Sequence, residues 1–309
     1  MNGKEHMDNA ERRNYIGGSD IAAVMGLSRW KTPLKLWAEK VGKIEPKDLS
    51  DLEHVEIGSD LEEYVAKRFQ KKTGYKVRRD TRMFTHSQFP YMVAHIDRRI
   101  EGEDAILECK TTSAWNAKEW EGEDIPQEYI FQVMWYLGIV GKSKGYIAVL
   151  IGGQKFVWKE IVFVPEMFDR MVDAAELFWE EFVKKEVAPV AIAGDSETLL
   201  ELYPEGSDTV LEFQGEEEEQ VNALIQERLG GLEAIDSAKE EVSKIEAQIK
   251  QKLGEASCGV TGQYKITWNN VTRTDPDRDK MKADGIWDNY IKQSSFRQFR
   301  TTGRKEKKA

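Results

Sequence analysis

Ala94-His95-Ile96-Asp97-Arg98-Arg99-Ile100-Glu101-Gly102-Glu103-Asp104-Ala105-Ile106-Leu107-Glu108-Cys109-Lys110 is the stretch that decides the fold. On either side of Gly102-Glu103 it reads as two strands joined by a tight turn. With that two-residue turn Asp97 lies directly opposite Glu108, and Lys110, two residues on, shares their face. Two carboxylates opposed across strands repel each other, and Ile96, Ile100, Ile106 and Leu107 make the surroundings apolar. A divalent, oxygen-seeking cation removes the conflict, since Mg²⁺ takes one or two carboxylates and keeps several waters. The adjacent lysine can orient or help deprotonate a water, or stabilise charge on a phosphate. The combination suits metal-assisted phosphodiester hydrolysis. On spacing alone, a surface hairpin with a lysine–carboxylate bridge is the other reading.

Upstream the sequence predicts helices. Gly17-Gly18-Ser19-Asp20, followed by Ile21, Ala22, Val24 and Met25, predicts a turn, a capping Ser or Asp and a short helix ending near Gly26. Thr32-Pro33 opens a second helix, with Leu34, Leu36, Trp37 and Val41 on its apolar side and Gly42 as its stop. A third spans about Ser59 to Thr73, with Leu61, Val65, Ala66 and Phe69 on one stripe before Gly74. Tyr75–Phe84, Tyr91–Ile100 and Ala105–Thr112 then predict three strands. A helix follows Pro126 and stops at Gly141, and Gly145–Ile151 and Phe156–Phe163 predict a hairpin turned by Gly152-Gly153. Glu166–Val187 predicts a long helix. This order is that of an α/β sandwich with a mixed central sheet.

After Ala188 the texture changes. Residues 189–215 are rich in Pro, Gly and small polar residues and read as a connector. From Glu216 to about Lys252 a long helix is predicted, with Leu232, Ile235, Ala238, Val242, Ile245 and Ile249 as a narrow heptad-like seam. That seam is expected to pack against a second helix, of this chain or of a partner. Tyr264–Val271 resembles a strand. Two domains are expected, 1–188 and 189–309, the second being a connector, a helical region and a basic tail.

The chain has 309 residues, 40% apolar and 32% charged, the balance of a globular protein. No apolar run approaches the roughly 18 residues that span a bilayer, so no membrane role is expected. Met1 to Tyr15 is polar, without an apolar signal core, which points to the cytoplasm. Cys109, Cys258 and four scattered histidines exclude a four-cysteine zinc or iron–sulfur centre and a histidine-rich site, so a metal would be held by oxygen. Residues 1–160 carry 25 basic and 25 acidic residues, and residues 161–309 hold the whole net charge of −10. Basic residues cluster locally at Lys71–Arg82 and at Arg297–Lys308, either as solvated faces or as contacts for nucleic acid.

Asp97, ten residues, and then Glu108-Cys109-Lys110 has the form of the PD-(D/E)XK nuclease signature. The flanking residues are more specific. Ile16-Gly17-Gly18-Ser19-Asp20-Ile21-Ala22-Ala23 and Gly26-Leu27-Ser28-Arg29-Trp30-Lys31-Thr32-Pro33 resemble the opening of YqaJ-type viral recombinase nucleases, relatives of lambda exonuclease. Gly58-Ser59-Asp60-Leu61-Glu62 resembles that family's helix motif, and Pro126 through Tyr129 to Gln132 its later helix. The matches run in family order over about residues 12–165.

The resemblance implies a restriction-endonuclease-like core, with a mainly helical C-terminal appendage outside it. It implies Asp97 and Glu108 as metal ligands with the backbone carbonyl of Cys109, Lys110 as the catalytic lysine, and Glu62 reaching the metal directly or through water. Whether Glu62 or Glu63 faces inward stays open. Gln132 would orient a ligand or the scissile phosphate, and Ser19, Arg29 and Lys31 would contact DNA. The family's usual Pro before the first acid is Ile96 here. The implied activity is Mg²⁺-dependent (Mn²⁺ as substitute) exonucleolytic resection of one strand from a duplex DNA end, by a phage- or prophage-encoded enzyme that assembles as a homo-oligomer, in some members a ring. A RecT-like single-strand annealing protein is the implied partner. A structure-specific or restriction-like endonuclease is the alternative within the same fold, and a non-catalytic DNA-binding scaffold is the alternative outside enzymes.

Overall fold

The computed structural model describes residues 9–47, 52–294 and 296–302. The chain divides into two compact units, one up to Pro204 and one from Glu205.

The first unit opens with four helices: α1 (Asn9–Arg12), α2 (Gly18–Val24), α3 (Pro33–Lys40) and α4 (Glu53–Thr73). The strands β1 (Val77–Arg79), β2 (Phe84–Thr85), β3 (Val93–Ala94), β4 (Arg98–Ile100) and β5 (Ala105–Thr112) follow. A 3-10 turn (Ala114–Trp120) leads into α5 (Gln127–Val140), then β6 (Lys144–Ile151), β7 (Lys155–Val162), α6 (Pro165–Leu177) and α7 (Ser196–Leu202). The punctuation acts as its chemistry dictates. Thr32 Oγ1 accepts from the Lys35 amide at 3.1 Å, with Pro33 at the first helical position. Gly74 and Gly141, at φ 81° and 68°, end α4 and α5 in the left-handed conformation that suits glycine.

The main sheet has the order β1-β4-β5-β6-β7. Only β5 and β6 run parallel, so α5 is the crossover between them. Alternation along β5 feeds two cores. Ile106 joins the larger one with Ile21, Leu36, Trp135 and Met171, while Ala105 and Leu107 join a smaller one with Val65 and Phe69 of α4 and Tyr146. The sheet therefore lies between α4 on one face and α5 on the other. This is the expected α/β class, with a mixed central sheet flanked by helices and a mainly helical C-terminal part.

Several predicted segments differ from the sequence reading. The first two predicted strands each break in two. Asp80 folds back onto Arg82, accepting from its amide and guanidinium at 2.6–3.2 Å, which ends β1. Residues 95–97 leave the ladder because the Asp97 side chain is used elsewhere, as described below. The third helix starts at Glu53 and carries Gly58 inside it, where an added Cβ would stand 3.2 Å from Thr111 Oγ1 of β5. The helix after Pro165 is α-helical only to Leu177 and continues as a π-helix over Phe178–Val183. There Trp179 stacks on Tyr91 at 4.6 Å, and the Phe182 carbonyl accepts from Trp37 Nε1 at 3.0 Å. Finally, the segment after Ala188, read as connector, packs on the first unit as far as Pro204. Fully buried Asp195 accepts from Thr32 Oγ1 and, at 2.7 Å, from the Ile192 amide, and Lys35 pairs with Glu201.

The second unit contains α8 (Glu216–Leu253), a hairpin of β8 (Cys258–Val260) and β9 (Lys265–Thr267), and α9 (Arg278–Ala283). The strand expected over Tyr264–Val271 is thus only three residues long. No residue of α8 is buried, and the seam expected to pack is open among the described residues. Met1–Asp8 of the polar start, and Arg304, Lys305, Lys307 and Lys308 of the basic tail, lie outside the described residues. Among the described residues, no helix is long and apolar enough to cross a membrane.

Candidate active site

The β4–β5 pairing sets Arg98 opposite Leu107 and Arg99 opposite Ile106, the register of the two-residue turn. Continued by one position it puts Asp97 opposite Glu108, but there the strands part. The Asp97 carboxylate accepts from the Cys109 amide at 2.8 Å, a side chain supplying what a ladder carbonyl would otherwise give. The end of the hairpin is thereby held open with both carboxylates beside it.

Glu108 is 4% exposed. Its Oε1 accepts from Lys110 Nζ at 2.8 Å and from Gln132 Nε2 at 3.0 Å. The same Gln132 nitrogen donates to Tyr136 Oη at 2.9 Å. Gln132 and Tyr136 lie one turn apart on α5, so the helix presents a prearranged pair to β5. The Lys110 ammonium also lies 5.2 Å from the centre of the Tyr129 ring. Burial alone would lower the Lys110 pKa, but the Glu108 and Asp97 carboxylates outweigh it and hold it above the ordinary lysine value. With these neighbours Lys110 is a cation. Burial and the Glu108 charge push the Tyr136 phenol up, so it stays protonated.

Gly18 explains part of the glycine-rich opening. An added Cβ would stand 2.3 Å from Tyr136 Cε1, so α2 can lie against α5 only with glycine there. Gly18, Tyr136, Gln132 and Glu108 form one chain of contacts from α2 to the carboxylate.

Alternation separates the remaining residues. Cys109 is half-buried against the α4 core, and burial pushes its thiol well up. Arg98, 3% exposed, lies on that same face. Its Nη1 donates to Glu62 at 2.5 Å and to the Asp97 carbonyl at 2.8 Å, and its Nη2 to Glu63 at 3.1 Å. Glu62 and Glu63 of α4 therefore meet one guanidinium, with Glu62 the more enclosed. Among the described residues, no three His, Cys, Asp or Glu side chains converge as a metal cluster. The oxygen donors brought together are Asp97, Glu108 and the backbone at Cys109, with Glu62 linked to them through Arg98.

The residues expected to meet DNA are dispersed. Ser19 is exposed in the first turn of α2. Arg29 is held by two carboxylates, Glu119 at 2.6 Å and Glu128, which keep its pKa raised. Lys31 pairs with Glu39. His95 is exposed. In the Lys71–Arg82 cluster, Arg82 pairs with Asp80 and Arg78 with Glu101 at 3.0 Å. The sequence reading missed Arg98, Tyr136 and Gly18. Arg98 had a signal, being a charge whose register partner, Leu107, faces the core.

The YqaJ-like viral recombinase domain matches residues 9–143. The uncharacterized protein YqaJ of Bacillus subtilis (strain 168) is 42% identical over 299 residues, 94% of this chain and 91% of that protein. Among solved structures, an alkaline exonuclease from Laribacter hongkongensis is 16% identical with a TM-score of 0.49, over 58% of this chain and 92% of that one. A putative exonuclease from Eubacterium rectale is 12% identical with a TM-score of 0.45, over 70% of this chain and 96% of that one. The motifs of the opening, of α4, of the β4–β5 hairpin and of α5 fall within or beside the matched segment, and the chain belongs to the YqaJ-like viral recombinase family.

Proposed function

We propose that this protein is a divalent-metal-dependent deoxyribonuclease that resects one strand of duplex DNA from an end, providing single strands for recombination by annealing. The observation that carries this reading is the convergence of Asp97, Glu108 and Lys110 at the parted end of the β4–β5 hairpin, with Gln132 fixed on Glu108. Family membership supports it.

The donor set fits a hard cation. Two carboxylates and the Cys109 carbonyl are oxygen ligands of the kind Mg²⁺ or Mn²⁺ accepts, and water would complete the shell. A bound cation would polarise the phosphate and lower the pKa of an attacking water. Lys110, as a cation beside Glu108, stabilises charge on the phosphate and orients the water rather than removing its proton. Gln132 keeps Glu108 in one rotamer, so the site is set before DNA arrives. Glu62, paired with Arg98, would help to hold the cation, directly or through water. Ser19 is the proposed phosphate contact at the start of α2, and Arg29 and Lys31 contribute where DNA phosphate displaces their carboxylates. The nuclease unit is residues 1–188 with the packed extension to Pro204. A RecT-like annealing protein is the proposed recipient of the exposed strand, in the cytoplasm of a bacterial host.

The test is incubation with Mg²⁺ of 5′- and 3′-labelled linear duplex beside a closed circle. The expected result is stepwise loss of one strand of the linear DNA, none from the circle, and none with Asp97→Asn or in EDTA. Cutting of the circle would favour the endonuclease, and full activity of Asp97→Asn would remove the proposed site.

A further inference from the structure

Along α8 the residues Val221, Ile225, Arg228, Leu232, Ile235, Lys239, Val242, Glu246, Ile249 and Leu253 recur at alternating steps of four and three, an unbroken heptad stripe. Leu232, Ile235, Val242 and Ile249 on it are 38–54% exposed. A helix of 38 residues with no buried side chain lacks the packing from which helices draw most of their stability.

The stripe is complementary to its own reversal about Ser237. Reversal about that point sets Val221 against Leu253, Ile225 against Ile249, and Leu232 against Val242. It also sets Arg228 against Glu246, and Ile235 against the aliphatic stem of Lys239. We propose that α8 pairs with α8 of a second copy of this chain, antiparallel and centred on Ser237, as a two-stranded coiled coil.

The charges choose both the occupant and the direction. In a parallel pair each charged stripe position meets its own copy, Arg228 on Arg228, Lys239 on Lys239 and Glu246 on Glu246. Glu216–Glu219 would also face their duplicates. Antiparallel pairing turns Arg228 and Glu246 into two symmetry-related ion pairs and sets the two acidic N-terminal turns at opposite ends of the pair. A mirrored arrangement of charge and apolar residues is what a two-fold self-contact uses, and a different protein has no need of it. Arg228 also donates to Thr301 Oγ1 at 2.9 Å and lies over the Phe299 ring, and its five N–H donors allow the carboxylate as well.

The test uses the full chain with the exposed Cys258 changed to Ser. Under mild oxidation the double variant Leu232→Cys/Val242→Cys should form a covalent dimer, and neither single variant should. By sedimentation equilibrium Arg228→Glu should weaken the dimer at least about tenfold, and Arg228→Glu/Glu246→Arg should restore it. Cross-linking of Leu232→Cys alone would mean a parallel pair. Absence of cross-linking in the double variant, or no recovery on charge exchange, would mean that the stripe is not covered by its own copy. Any of these results overturns the proposal.

Discussion

Gly18→Ala is the substitution for which the structure gives the most definite expectation. The new Cβ would stand 2.3 Å from Cε1 and 2.7 Å from Cζ of Tyr136. That ring is 6% exposed, and its hydroxyl is tied to Gln132, so it has little room to retreat. Overpacking of this kind costs about 1–3 kcal/mol, against which replacing a helical glycine returns about 0.5–1 kcal/mol. At mid-range the net loss is about 1 kcal/mol, which for a unit of this size lowers Tm by about 2–4 °C. Gly17→Ala is the control, since nothing lies within 4 Å of its added Cβ and its φ is −101°. Thermal unfolding by circular dichroism reads the stability difference. The same displacement moves Gln132 on Glu108, so kcat for duplex cleavage should fall several-fold while KM changes less. A Gly18→Ala protein that melts at or above the wild-type temperature, with unchanged kcat, would refute the contact chain from α2 to Glu108.

Lys110→Met should abolish cleavage and, in EDTA, lower Tm, because Glu108 keeps its burial and loses its cation; added Mg²⁺ should recover part of that loss, and an unchanged Tm in both buffers would count against the Lys110–Glu108 pair. His86 should give a pH dependence of stability. Burial depresses its pKa, and its Nδ1 accepts from the Gln88 and Phe89 amides at 3.3 Å, so the fold holds the neutral form. The unfolded chain then binds the extra proton first, and stability present near pH 7.5 is lost as pH falls through 6.5. Unfolding in urea at pH 7.5 and 5.5 should show a smaller difference for His86→Gln than for wild type.

The β4–β5 register was legible because a tight turn and a two-residue period leave one way to pair the strands, although the ladder stops at Arg98–Leu107, one position short of Asp97. The caps at Thr32-Pro33 and the stops at Gly74 and Gly141 were legible for a similar local reason. What the sequence hid depends on side chains that leave their own element. Asp80 closes on Arg82 and Asp97 on the Cys109 amide, and each shortens a strand that alternation alone would extend. Register marks Arg98 as facing the core, but what it meets there, Glu62 and Glu63, is brought by α4. Gly18 reads as turn punctuation, although its role is contact with a ring 118 positions later. The segment after Ala188 looks like connector by composition, and its buried Asp195 and the Lys35–Glu201 pair show that it belongs to the first unit.

The two rims of the main sheet are unequal, and this bears on how the protein tolerates stress. β1 is three residues long and carries Arg78 and Arg79, a rim too short and too charged to template another chain. β7 is eight residues long and, among the described residues, has only β6 beside it in the sheet. Its Trp158 and Val162 are 40% and 61% exposed. Aggregation on heating or during refolding is therefore expected to begin by strand addition at β7. A lysine at Val162, on the open rim, would guard that side as the arginines guard the other.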